Sequence, residues 1–170
     1  MANTYFLIAS NTVGSGGTAQ VDFTSIPQTY TDLLIKTSTN VTSLSVLRVR
    51  FNSISTSDYT QRVLRGTGSG NPASYSNTGW DTVTHFSPGY NNEGANIFSN
   101  NEYYIPNYTG SGNKSISGDS VTEANSTTAY AVLYAGLLNN TSAITSINLI
   151  NQSGNFNQHS TFHLYGIKKS

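Results

Sequence analysis

His85, His159 and His163 are the only side chains in this sequence that could act as an imidazole base or an imidazole metal ligand. His159 and His163 stand four residues apart, which on a helix would put them on one face. On a strand, four residues span about 13 Å, too far to share a metal. Cysteine is absent, so a zinc site would need carboxylates from elsewhere in the chain, and each histidine is expected as a surface or hydrogen-bonded strand residue. Gly66-Thr67-Gly68-Ser69-Gly70 has the glycine spacing of a nucleophile elbow or a phosphate loop. It lacks the helix both need and the lysine of the latter, and reads as a hairpin tip. Eight acids, Asp22, Asp32, Asp58, Asp81, Glu93, Glu102, Asp119 and Glu123, could supply a glycosidase pair, yet none lies in a hydrolase motif. No catalytic residue, metal or cofactor is expected. The remaining candidates are aromatic: Tyr75, Trp80, Tyr90, Tyr103, Tyr104 and Tyr108 fall in or beside the loop-rich middle. Exposed rings stack on sugars or anchor interfaces, and buried ones fill a core. As a binding surface, the candidates are Trp80, Tyr90 and Tyr108.

Such residues need a scaffold, and composition narrows it. The chain has 170 residues, enough for one domain with one core. Charged residues make up only 9%, far below the roughly 25% of ordinary globular domains. Disorder does not follow, because Val, Ile, Thr and Tyr are plentiful and hydroxyl and amide groups can solvate a β-surface. With 8 basic and 8 acidic residues and zero net charge, no basic run can track a phosphate backbone, which argues against nucleic acid as a partner. The N-terminal run has no basic segment followed by a long apolar one, and no stretch approaches the roughly 20 apolar residues of a membrane span. Synthesis in a cytoplasm, without membrane insertion, is the expectation.

No window sustains a helical period; short alternating runs between turn signals take its place. Strands are expected at Tyr5–Ser10, Thr18–Thr24, Asp32–Ser38, Val46–Asn52, Thr60–Arg65, Trp80–Phe86, Glu102–Ile105, Ser115–Thr122, Thr128–Ala135, Ile144–Ile150 and Thr161–Ile167. In Val46–Asn52, Leu47, Val49 and Phe51 point one way and Arg48, Arg50 and Asn52 the other. Ala129–Ala135 is apolar on both faces and predicts a central strand. Asn91–Asn101 and Asn107–Lys114 read as surface loops. The whole predicts a single all-β domain over residues 1–170, a two-sheet antiparallel sandwich of jelly-roll type.

Three segments carry a resemblance. They are Phe23-Thr24-Ser25-Ile26-Pro27-Gln28-Thr29-Tyr30-Thr31-Asp32-Leu33 followed by the strand Leu34-Ile35-Lys36-Thr37-Ser38, then Arg50-Phe51-Asn52 with Asp58-Tyr59-Thr60 and Leu64-Arg65-Gly66, and the C-terminal Gly154-Asn155-Phe156-Asn157-Gln158-His159-Ser160-Thr161-Phe162-His163-Leu164-Tyr165-Gly166-Ile167-Lys168. Together, over about a third of the chain, they resemble small virion proteins of tailed phages, especially marine ones, of the tail-fibre, spike and capsid-decoration type. The resemblance implies a non-enzymatic structural protein of a bacteriophage virion, with capsid or tail proteins as partners. Low charge and sheet edges that need covering predict a homo-oligomer, with a trimer by analogy to the three-fold sites of phage fibres and decorations. The alternative is a carbohydrate- or host-receptor-binding module meeting a host-surface glycan. Pro27 offers no ladder donor and is expected to turn the chain so that Tyr30 anchors the crossover into the next strand. Phe162 and Leu164 should share one face of the last strand, and His163, Tyr165 and Ile167 the other.

Overall fold

The computed structural model describes residues 4–43, 45–67, 70–84, 97–122 and 129–168. Among these it contains no helix and twelve strands: β1 Tyr5–Thr12, β2 Gln20–Phe23, β3 Asp32–Thr39, β4 Leu47–Phe51, β5 Tyr59–Gly66, β6 Ala73–Trp80, β7 Val83–Thr84, β8 Ser99–Ile105, β9 Lys114–Thr122, β10 Tyr130–Leu138, β11 Ile147–Asn151 and β12 Thr161–Ile167. They form two antiparallel sheets, one of eight strands in the order β1-β12-β3-β8-β9-β10-β5-β6 and one of four in the order β2-β11-β4-β7.

The pairing is nested. β1 pairs with β12, β2 with β11, β3 with β8 and β4 with β7. The chain thus behaves as one long hairpin rolled up, its strands alternating between the sheets, which is the jelly roll. The strand pairs β5–β6 and β9–β10 are insertions into this roll. Both join the β8 side of the larger sheet, so eight strands face four.

Alternation explains the core. On β4, Leu47, Val49 and Phe51 are fully buried while Arg48 and Arg50 point away. On β12, Phe162 and Leu164 are fully buried and His163, Tyr165 and Ile167 half-exposed on the other face, as the pattern predicts. The segments carrying the resemblance have structural work to do. Gly166 lies under Tyr30, where a Cβ would stand 2.4 Å from the ring. Tyr30 also stacks against Phe6, with centroids 5.8 Å apart, and the Lys168 ammonium covers both rings. Thr31 donates its backbone N–H and its hydroxyl to the Ile167 carbonyl. The Tyr30 turn and the last strand are one unit. In the middle match, Asn52 takes a left-handed backbone (φ 51) and its Oδ1 accepts from the Thr145 and Ser146 amides at 2.8 and 3.2 Å. Asn tolerates that conformation better than most residues, and here it ties the start of the β4–β5 connection to the approach to β11.

Three expectations change. Ala73–Trp80, unassigned in the sequence reading, is an eight-residue strand, and within the expected strand Trp80–Phe86 the structure shows Trp80 closing β6 and Val83–Thr84 as β7, with His85 and Phe86 outside the described residues. Ser99–Asn101, expected as loop, opens β8. β10 is central in its sheet, as predicted, but only Val132, Tyr134 and Leu138 are buried. Its other face is open.

Three buried phenols bear on stability. Burial pushes the Tyr59 hydroxyl up to about 12, and desolvation raises Tyr103 and Tyr134 well above the usual phenol range. A folded-state pKa above the unfolded one stabilises fully below the unfolded value, near 10, and that contribution is lost as pH rises through the folded value. The fold should therefore weaken from about pH 10 to pH 12. In an alkaline titration, tyrosinate absorbance from the buried rings should appear together with loss of the strand signal. Complete, non-cooperative ionisation of all 11 tyrosines near pH 10 in a still-folded protein would contradict this placement.

Candidate interaction surface

Among the described residues, no layer covers the outer face of the eight-stranded sheet. The register sets its rows. Val121 lies beside Ala131 and Gly66, Asp119 beside Leu133, Leu64 and Ser74, Ser117 beside Ala135, Arg62 and Ser76, and Ser115 beside Leu137, Thr60 and Thr78. On β5, β9 and β10 four large apolar side chains stand open on this face: Leu133 at 60% exposure, Leu64 at 48%, Val121 at 45% and Leu137 at 37%. A shallow hollow of about 510 Å³ runs among Leu64, Pro72, Val121, Ala131 and Leu133. Removing such a side chain from water is worth about 1.5–3 kcal/mol, so a partner covering the stripe would gain several such increments.

Farther along the same face the chemistry changes. Tyr5, Leu34, Lys36, Glu102 and Tyr165 line a second hollow of about 410 Å³. Lys36 Nζ meets Glu102 at 2.7 Å, and the carboxylate's hydrogen bond and charge raise the lysine pKa. Both side chains are about half exposed, so the pair adds little to stability. Tyr104 donates its hydroxyl to Asp32 at 2.8 Å, which raises the phenol pKa. Tyr5 is 58% exposed and Leu7 57%.

Of the predicted aromatic surface, little is assembled. Tyr108 is fully buried and its hydroxyl donates to the Pro27 carbonyl; it belongs to the core, because the 106–109 turn folds back beneath the β2–β3 connection. Trp80 is half-buried at the end of β6 and packs against the core. Tyr90 lies outside the described residues. Of the others, Tyr103 is fully buried and Tyr104 exposed on the outer face. The exposed aromatic that sequence reading missed is Tyr5, whose alternation with Leu7 was a visible signal of one open face.

The two described histidines occupy different elements. His159 sits in a turn at positive φ (71), His163 lies on β12 beside Tyr165, and His85 is outside the described residues. No group of three metal-binding side chains occurs among the described residues. Gly66 ends β5 and Gly70 lies just before β6, the antiparallel neighbour of β5; Gly68 and Ser69, the middle of the expected hairpin tip, lie outside the described residues. Glu93 and Glu123 lie outside the described residues; of the described carboxylates, the register brings two together, Glu102 and Asp119, direct cross-strand neighbours on the outer face. Glu102 is engaged by Lys36, and the hollow beside the two acids is a shallow one of about 330 Å³ on an open sheet. A glycosidase acid must be kept protonated in a largely desolvated site, and this face provides none. Asp22, Asp58 and Asp81 serve locally, accepting from Asn148, Thr56 and Arg50 respectively.

Lys114 could be mistaken for a reactive lysine. It is buried, and desolvation lowers its pKa, but its ammonium is fully used, donating to the carbonyls of Gly110, Gly112 and Thr141 at 2.6, 2.5 and 3.0 Å. It ties the β8–β9 loop to the β10–β11 loop.

Compared with family models and with curated proteins, the chain gives no match to either.

Proposed function

We propose that this protein is a non-enzymatic structural component of a tailed-bacteriophage particle, a capsid-decoration or tail-fibre/spike module, that docks on neighbouring virion proteins through the outer face of its larger sheet. The observation that carries this reading is the open stripe of Leu64, Val121, Leu133 and Leu137 on one face of β9, β10 and β5. Contiguous exposed apolar surface marks sites of protein association. The jelly roll supports it as an architecture common in capsid proteins, and the resemblance of the Tyr30 and Phe162–Lys168 segments supports the phage context. A carbohydrate- or receptor-binding role is the second reading, favoured by the hollow that joins exposed Tyr5 to Lys36 and Glu102, where a ring face adjoins hydrogen-bonding groups.

Particles stripped of this protein test both readings. Wild-type chain should rebind and sediment with them, and Leu64→Asp/Leu133→Asp should fold normally yet lose at least about tenfold in binding (about 1.4 kcal/mol). Binding to host cells instead, abolished by Tyr5→Ala and untouched by the stripe variants, would establish the second reading. A wild-type chain that binds neither would refute both.

A further inference from the structure

The described residues form four sheet edges, β1, β2, β6 and β7, and two of them are blunted. β2 has only four residues and carries Asp22, while β7 adjoins residues outside those described. β1 is long, but its register breaks between Leu7 and Ala9, and a bulge there twists an edge away from further pairing. The fourth is different. Among the described residues, β6 hydrogen-bonds to β5 alone. Residues 73–78 pair with 60–65 in unbroken register, the irregularity falling only beyond Thr78. Its sequence, Ala-Ser-Tyr-Ser-Asn-Thr-Gly-Trp, contains no charge and no proline, the devices that usually protect an exposed edge.

From this we infer that β6 is a self-association edge, occupied in solution by β6 of a second copy in antiparallel register about a two-fold axis at Ser76. Two observations select a second copy. Self-pairing sets every side chain against its own kind or a near neighbour, which is costly for charged strands; β6 has no charge, and the whole chain has net charge zero. A two-fold axis at Ser76 places Ser74 opposite Thr78 and Tyr75 opposite Asn77, each pair on one face, so the outer side of the joint carries only small hydroxyl groups. Two eight-stranded sheets then become one continuous sheet. The inference goes beyond the virion reading and does not depend on it, and it gives a dimer in place of the trimer expected by analogy to phage fibres and decorations.

The absence of cysteine makes the test clean. In the full chain, Ser76→Cys should oxidise to a covalent dimer, because directly opposed residues have Cα atoms about 4.5–5.5 Å apart, within disulfide range. Leu7→Cys, exposed on the β1 edge, should not. By analytical ultracentrifugation the wild-type chain should be dimeric at micromolar concentration. Ser74→Lys/Ser76→Lys, at two exposed positions, should weaken dimerisation at least tenfold with the thermal midpoint retained. A monomeric wild-type chain, or a dimer that the lysines leave intact, would overturn the inference. So would cross-linking through Leu7→Cys. A monomer whose particle binding is lost on the lysine substitutions would show that β6 accepts a foreign strand, and that too would overturn it.

Discussion

Replacing Phe162 by alanine should cost about 3–5 kcal/mol, the usual price of emptying a fully buried aromatic site. Phe162 is wholly excluded from solvent and meets Phe156 edge-on, with centroids 4.9 Å apart and planes at 70°. It stands on β12 between β1 and β3, so a cavity there undermines the strand that closes the roll. Domain stabilities are about 5–15 kcal/mol, which makes the loss a large fraction of the total. At 2–4 °C per kcal/mol for a chain of this size, the thermal midpoint should fall by about 6–20 °C. Leu164→Ala should behave similarly, at about 2–5 kcal/mol. Gln158→Ala, at an exposed turn, should stay within about 0.5 kcal/mol. An unchanged midpoint for Phe162→Ala would contradict the placement of β12.

Gly166→Ala should be nearly as damaging although it adds one methyl group. The new Cβ would meet Cδ2 and Cγ of the Tyr30 ring at 2.4 Å, closer than any real contact, and the ring cannot retreat freely because Phe6 and Lys168 hold its surroundings. Overpacking of this kind typically costs about 1–3 kcal/mol or more. The decisive measurement is a double-mutant cycle: in a Tyr30→Ser background the added cost of Gly166→Ala should fall close to zero, giving a large coupling energy. Independent, additive effects would mean that the ring does not rest on Gly166.

The alternation of Leu47, Val49 and Phe51 and of Phe162 and Leu164 was legible because hydrophobic period two reports burial directly. β6 was not. Its inward positions are Ala73, Tyr75 and Asn77, a small, an amphipathic and a polar residue, each only half-buried, so the strand has no apolar signature. β10 misled in the opposite direction. Its run of Ala, Val, Leu and Tyr is apolar on both sides, yet Leu133 and Leu137 stand open because nothing covers the outer face of the larger sheet among the described residues. The stripe itself could not be read from the chain, since Leu64, Val121 and Leu133 come from separate strands and become neighbours only through the pairing of β5, β9 and β10. Tyr108 failed for a related reason: an aromatic in a polar loop reads the same whether it faces water or, as here, donates its hydroxyl to a carbonyl 81 residues away.

The nested pairing also governs how the protein is made. β1 cannot find β12 until nearly the whole chain exists, since Tyr5 pairs with Ile167. Translation at about 5–20 residues per second leaves β1 without its partner for about 10–30 s. Sequence-adjacent pairs such as β5–β6, β8–β9 and β9–β10 can form early, and they place the uncharged edges of β6 and β10 in solution before the roll closes. Contacts so distant in sequence slow closure further. Yield in a heterologous host should therefore be limited by the lifetime of the half-rolled chain, and slower, cooler expression should favour the soluble product over aggregates nucleated on those early hairpins.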